Sequence, residues 1–295
     1  MAFLATRRPV QLIAPAPQTL WGRPAVANFA LGGLGAGYYL VAALGAGFEV
    51  SPALDVASWL GPALVLAGFA AVALEAGRPF RGLRVLTRIA TSWMSRELWL
   101  GGLFAALAVG GLALDRPGLR AGAALAAALL ALAQGGILRE ARGVPAWSVP
   151  VLPPLFLVSS LVSGAGLLVL GTLARGEAPG RRFLATALVL LIAYVLVWWS
   201  YLTWSDDPAF VRDVGPLRDG RGALALVGGG YLLPSLLIAL ALALPSWEAS
   251  LSALGALFAI GSQIQLKARL ILTAGRLRAV TLAPPRPGPP GRRAE

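Results

Sequence analysis

Residues 25–47 read AVANFALGGLGAGYYLVAALGAG, a run without a single charged side chain. An uninterrupted apolar run of this length crosses the ~30 Å hydrocarbon core of a bilayer as an α-helix. Its glycines, Leu31-Gly32-Gly33-Leu34-Gly35-Ala36-Gly37, superficially match a phosphate-binding loop. Such loops follow a strand and open a helix, whereas these glycines lie inside an apolar run. At that depth small residues let a neighbouring helix, or a flat ligand, come close to the backbone. Both readings of the glycines stay open.

Seven further charge-poor runs follow outward from this one, at about residues 56–74, 98–114, 121–138, 151–173, 183–204, 223–244 and 249–266. Each has the length of a spanning helix. A membrane β-barrel needs segments of ~10 residues with alternating polarity, and these runs are continuous and rich in Leu, Ala and Gly. The expected fold is therefore all-α, an integral membrane bundle of eight transmembrane helices. The first run is expected to be retained rather than cleaved as a signal peptide, since Pro9, Pro15, Pro17 and Pro24 precede it and it is long enough to span. Composition over the 295 residues agrees: 57% hydrophobic, 13% charged, with a mean hydropathy of +0.74. Those values exclude a soluble enzyme and a disordered chain, and the lack of cysteine excludes a disulfide scaffold. Because histidine is also absent, no haem and no iron–sulfur cluster is expected in this chain. Any electrons it handles come from another subunit.

An even number of spans puts both termini on one side. Five basic residues, Arg116, Arg120, Arg175, Arg181 and Arg182, fall on the opposite face, and the remaining 20 of the 25 fall on the face of the termini. The positive-inside rule then makes both termini cytoplasmic, in the inner membrane of a prokaryote. The net charge of +12 follows from this orientation and from contact with anionic membrane lipid, and nucleic acid is not an expected partner. Three regions result: a cytoplasmic segment over 1–24, the transmembrane domain over 25–275, and a basic, Pro/Gly-rich tail over 276–295 expected to be disordered.

Within the expected spans no Asp, Glu, Lys or Arg falls at mid-membrane depth, which disfavours an ion-coupled transporter. Ionisable residues gather at one face instead. Glu75 ends the second span, Arg78 follows within Glu75-Ala-Gly-Arg78-Pro79, and Arg96-Glu97 opens the third. A carboxylate at a helix end beside arginines can trade a proton, as quinone chemistry at the bilayer edge requires, or can form an ordinary interfacial ion pair. Asn28 and Gln134 are uncharged hydrogen-bonding groups expected on the same side as Glu75, so one pocket could gather all three. Trp21, Trp93, Trp99, Trp147, Trp198, Trp199 and Trp204 fall at span edges, as an aromatic belt would place them.

Three stretches carry a family resemblance. Gln18-Thr19-Leu20-Trp21-Gly22-Arg23-Pro24 leads into the glycine-rich span. Leu74-Glu75-Ala76-Gly77-Arg78-Pro79-Phe80-Arg81 runs on to Thr91-Ser92-Trp93-Met94-Ser95-Arg96-Glu97, and Val144-Pro145-Ala146-Trp147 precedes Pro153-Pro154-Leu155-Phe156. Together they resemble the DmsC-like membrane anchor subunit of DMSO reductase-type molybdoenzymes, within the polysulfide reductase/NrfD group. Lys267 with Ile271-Leu272-Thr273-Ala274-Gly275 is similar to the end of the last helix in that group. The resemblance implies an anchor for a molybdopterin catalytic subunit and a ferredoxin-like iron–sulfur subunit, passing electrons between a cluster of the latter and a menaquinone or ubiquinone. It implies Glu75 as the catalytic residue, a quinone site of Asn28, Gly32, Gly33, Glu75, Gln134 and Arg139, and partner docking on Arg78, Arg81 and Arg96. In relatives a Tyr often stands near the end of the fourth helix, where this chain has Ile137, Leu138 and Arg139, so Gln134 or Arg139 is the candidate for the second quinone oxygen. A passive anchor without a working quinone site, and a small-molecule transporter, are the alternatives.

Overall fold

A computed structural model describes residues 10–49, 51–75 and 83–282. Its long helices are α1 (Arg23–Gly45), α2 (Pro52–Glu75), α3 (Trp93–Ala113), α4 (Pro117–Arg139), α5 (Leu152–Ala174) and α6 (Arg181–Leu202). A short helix, α7 (Pro208–Arg218), follows, then a seventh span in three pieces: α8 (Gly220–Ala223), a π-helical stretch (Leu224–Leu232) and α9 (Leu233–Ala243). A 3₁₀ turn at Pro245–Trp247 leads into α10 (Glu248–Leu272). Eight of these helical segments are long and apolar enough to cross a membrane. The chain is an all-α, multi-pass membrane bundle.

Sequence chemistry sets the helix ends. Proline opens α1, α4, α5 and α7, where its missing N–H costs nothing. The Ser92 side chain caps α3, accepting from the Ser95 backbone N–H, and this moves the start of the third span from the expected residue 98 back to 93. At the other end of the chain the last helix runs on to Leu272, six residues past the expected 266. Both shifts carry an ionisable residue inside a helix. Glu97 and Lys267, expected at the membrane edge, are buried at 5% and 1% exposure. Arg120 is buried as well, paired with Asp115. In the seventh span Pro234 cannot donate to the Gly230 carbonyl, and the wide turns of the π-helix across Gly228–Gly230 absorb that missing bond.

Three helices form the centre. Of the spanning window, 78% is buried in α1, 67% in α4 and 61% in α5, against 22–39% in the other five. Glycine makes this closeness possible. A Cβ on Gly35 would stand 2.3 Å from the Gly61 carbonyl oxygen of α2, and one on Gly37 only 1.8 Å from the Ser160 carbonyl oxygen of α5. Gly164 answers from α5, where a Cβ would lie 2.1 Å from the Gly37 carbonyl carbon. The helix-packing role of the glycine run is thus realised on two neighbours at once.

The ends of the described chain are tied together at the face where α1 begins and α10 ends. Strand β1 (Val10–Ile13) pairs antiparallel with β2 (Val280–Leu282), and Pro17 bridges Arg276. Residues 276–282, which open the expected tail, take part in this ribbon, and 283–295 lie outside the described residues. Arg278 donates to the Asp207 carboxylate at 2.8 Å and its backbone N–H to the Gly143 carbonyl. Composition alone misses this, because the partner strand lies at the far end of the sequence. The Trp reading also needs correction. Trp99, Trp199 and Trp204 are exposed on the bundle surface as a belt requires, but Trp147 and Trp198 are buried. Trp147 donates to the Leu270 carbonyl at 2.8 Å and stacks on Trp21.

Candidate functional site

Asn28 lies five residues into α1, Glu97 four into α3, and Gln134 five before the end of α4. At 1.5 Å per residue all three sit ~6–8 Å below the same helix ends. Tertiary packing turns this shared depth into contact. Asn28 Nδ2 donates to Glu97 Oε1 at 3.0 Å, and Gln134 Nε2 donates to the same oxygen at 3.1 Å. Gln134 Nε2 also lies 3.5 Å from the Asn28 carbonyl oxygen. Gly32 makes room for this arrangement, since a Cβ there would stand 2.3 Å from Gln134 Nε2. All three polar side chains are buried, with Gln134 fully enclosed.

The cluster is unevenly satisfied. Glu97 Oε1 receives two N–H donors, while the amide oxygens Asn28 Oδ1 and Gln134 Oε1 have no hydrogen-bond partner among the described residues. Buried acceptors without a donor are costly, at about 1–3 kcal/mol each. Each of these two oxygens can accept a hydrogen bond, from a hydroxyl group or from a protonated carboxyl.

Around the cluster, aromatic side chains close the membrane face. Trp93 packs on Gly136, where a Cβ would meet its ring at 2.9 Å, and the Arg96 guanidinium lies 4.5 Å over the Trp93 ring. Arg96 is engaged locally, donating to the carbonyls of Ile89 and Ala90 at 3.0 and 2.7 Å, and so fastens the 83–92 connection to α3. Trp21, Phe29 and Phe156 form a run of ring contacts beside Asn28.

On the neighbouring side of α1 lies a second buried polar group. Lys267 Nζ donates to Ser159 Oγ at 2.9 Å, 5.7 Å from the Phe156 ring centre. Gly33 faces it: a Cβ at Gly33 would come 2.8 Å from Ser160 Oγ and 3.2 Å from Lys267 Nζ. The two adjacent glycines thus face different polar groups, Gly32 the amides and carboxylate, Gly33 the amine and hydroxyls.

Of the residues expected from sequence, Asn28, Gly32 and Gln134 come together, and Gly33 adjoins them. Arg139 does not join them. It is exposed at the end of α4, roughly 140° around the helix from Gln134. Glu75 closes α2, but its side chain lies outside the described residues, as do Arg78 and Arg81. Among the described residues, the carboxylate brought to Asn28 and Gln134 is Glu97. Sequence reasoning missed it, together with Lys267, Ser159 and Ser160. The signal for Glu97 was present in Ser92, whose capping chemistry starts the helix early enough to place Glu97 in its second turn. No protein family and no curated protein matches this chain, so its function rests on its own residues.

Proposed function

We propose that the chain is the membrane anchor and quinone- or quinol-reactive electron-transfer subunit of a molybdopterin oxidoreductase complex in a prokaryotic inner membrane, with both termini cytoplasmic. The observation that carries this reading is the buried Glu97 carboxylate held by the side-chain amides of Asn28 and Gln134, one to two turns below a membrane face. The donor set fits a quinol. Its hydroxyls match the two unpartnered amide oxygens, and a carboxylate within the same cluster can accept a proton from one of them. A bound quinone or quinol supplies two-electron, two-proton exchange. This chain's residues then have three tasks: Asn28 and Gln134 orient the ring oxygens, Glu97 takes or returns a proton at its carboxylate, and the aromatic side chains keep bulk water from the site. Electrons pass between the quinone and the iron–sulfur partner, docked on the arginine-rich face with Arg96 at its rim and Arg78 and Arg81 in the adjoining connection.

Glu97→Gln is the test, because it preserves shape and amide contacts while removing the exchangeable proton. Quinol-dependent turnover of the assembled complex should fall by about 10²-fold. Electron transfer from an artificial donor directly to the catalytic subunit should be unaffected. Unchanged quinol turnover with intact assembly would overturn the proposal. One observation favours a passive anchor instead: Glu97 is already bonded within the protein, as a purely structural cluster would be. On that reading Glu97→Gln assembles and works as before.

A further inference from the structure

The chain has 25 Lys and Arg residues, and Lys267 is its only lysine. Every basic position at the membrane faces is an arginine, so the one exception calls for a physical reason. Lys267 is also among the most deeply buried polar side chains, at 1% exposure.

The buried Arg120 supplies the contrast. It is 2% exposed and has a fixed counter-charge, the Asp115 carboxylate. Lys267 has none: among the described residues no carboxylate lies within ion-pairing distance, and its hydrogen-bond partner is the neutral Ser159 hydroxyl. Helix α10 packs against α1, α5, α9, the π-helical stretch and the Pro245–Trp247 turn. Helices α5 and α9 and that turn have no ionisable side chain. The ionisable groups of the other elements are Arg23, Tyr38 and Tyr39 of α1, Tyr231 of the π-helical stretch, and Glu248 and Arg269 of α10 itself, and none of them bonds Lys267. A guanidinium stays charged in proteins, whereas an amine can exist with or without its proton. Of the two basic residues that are buried among the described residues, the arginine has a carboxylate partner and the lysine has none.

We propose that Lys267 is a second proton-exchanging group of the site at Gly32–Gly33, so that Glu97 and Lys267 each handle one of the two protons of quinol–quinone conversion. The inference rests on the quinone reading given above. In the oxidative direction the quinol loses two protons and two electrons. One proton goes to the Glu97 carboxylate and one to the Lys267 amine, and both electrons go to oxidised clusters of the iron–sulfur partner; the reductive direction is the reverse. Ser159, which accepts from the amine, holds it on the Gly33 side of α1.

A single lysine makes the group directly observable. The full chain, labelled with 15N at lysine Nζ and placed in lipid vesicles, gives one side-chain amine signal. That signal should change position between samples given menadione and samples given menadiol, and an identical signal in both overturns the inference. In the assembled complex, Lys267→Met and Lys267→Arg should each lower menadiol-dependent turnover at least about 10-fold with KM changed less than about 3-fold. Lys267→Gln, which keeps a hydrogen-bond donor to Ser159, serves where Lys267→Met fails to assemble. Lys267→Arg with normal turnover would show that a fixed charge suffices and would also overturn it. If Glu97→Gln abolishes turnover while the lysine variants and the Nζ signal are unaffected, only this inference fails. If Glu97→Gln assembles and turns over normally, the quinone reading itself fails, and this inference with it.

Discussion

Two glycine-rich stretches of similar composition are used to different extents for helix contact in this molecule. Gly32, Gly33, Gly35 and Gly37 lie in α1, the most enclosed span, and each has another helix or a polar side chain where its Cβ would be. Gly228, Gly229 and Gly230 lie in the least enclosed span, and Gly229 has nothing closer than 4.0 Å to a Cβ. In α1 the absent side chain permits contact between helices. In the seventh span it eases a wide π-helical turn above Pro234. Small residues therefore serve approach at all four of these α1 positions but, of the three in the seventh span, only at Gly230, where a Cβ would stand 2.8 Å from Ser262 Cβ of α10. A hydropathy profile cannot tell such positions from Gly229.

The comparison is broken most severely at Gly37. Gly37→Leu forces a side chain into the Ser160 carbonyl and the backbone of α5, and no flexible group stands there to yield. Folded protein recovered in mild detergent should fall to near zero, beyond the ~1–3 kcal/mol of ordinary overpacking. Recovery at the level of the unsubstituted chain would mean that α1 and α5 are not packed as described.

A subtler break is Gly32→Ala. The obstructing atom is the end of the Gln134 side chain, which can move away, so stability should change by less than about 1 kcal/mol. Displacing that amide removes one of two donors from Glu97, and quinol-dependent turnover should drop by roughly 10-fold or more. Equal loss of folding and of activity would show that Gly32 serves packing alone.

Outside the bilayer, polar contacts replace close approach, and their effects should be smaller. Asp207 caps α7 through the Ala209 N–H at 2.9 Å and accepts from Arg278 of the terminal ribbon. Asp207→Ala should cost about 1 kcal/mol in denaturant unfolding. The Ala209 N–H chiefly, aided by Arg278, holds this carboxyl below the ordinary range against the opposing pull of burial. Its contribution is then complete above the ordinary aspartate pKa and disappears as pH falls through the lowered native value. The difference between the unsubstituted chain and Asp207→Ala should accordingly vanish in acid. The smallest effect belongs to Gly229→Ala, which meets open space and should shift stability by no more than about 0.5 kcal/mol. A large loss there would erase the distinction between the two glycine stretches.

Much of the site was legible. Asn28, Gly32 and Gln134 stand out as a polar or small residue within an apolar run, and their distance from the helix ends already puts them at one depth. Glu97 and Lys267 were harder to see, because a hydropathy window ends a span where the first charged residue appears. The helices instead continue through both, Ser92 capping one and packing against α5 and α1 enclosing the other.

Sequence by itself determined the eight apolar segments, since the bilayer requires every backbone group to be bonded within its own helix. It also determined the scarcity of ionisable groups inside them and the asymmetry of arginine between the faces. Only the tertiary structure decided which helix lies at the centre and which carboxylate meets Asn28 and Gln134. It also decided that the chain's single lysine is enclosed with no counter-charge among the described residues. Those outcomes depend on contacts between residues distant in the chain, 69 positions apart for Asn28 and Glu97 and 108 for Ser159 and Lys267, and local periodicity carries no record of them.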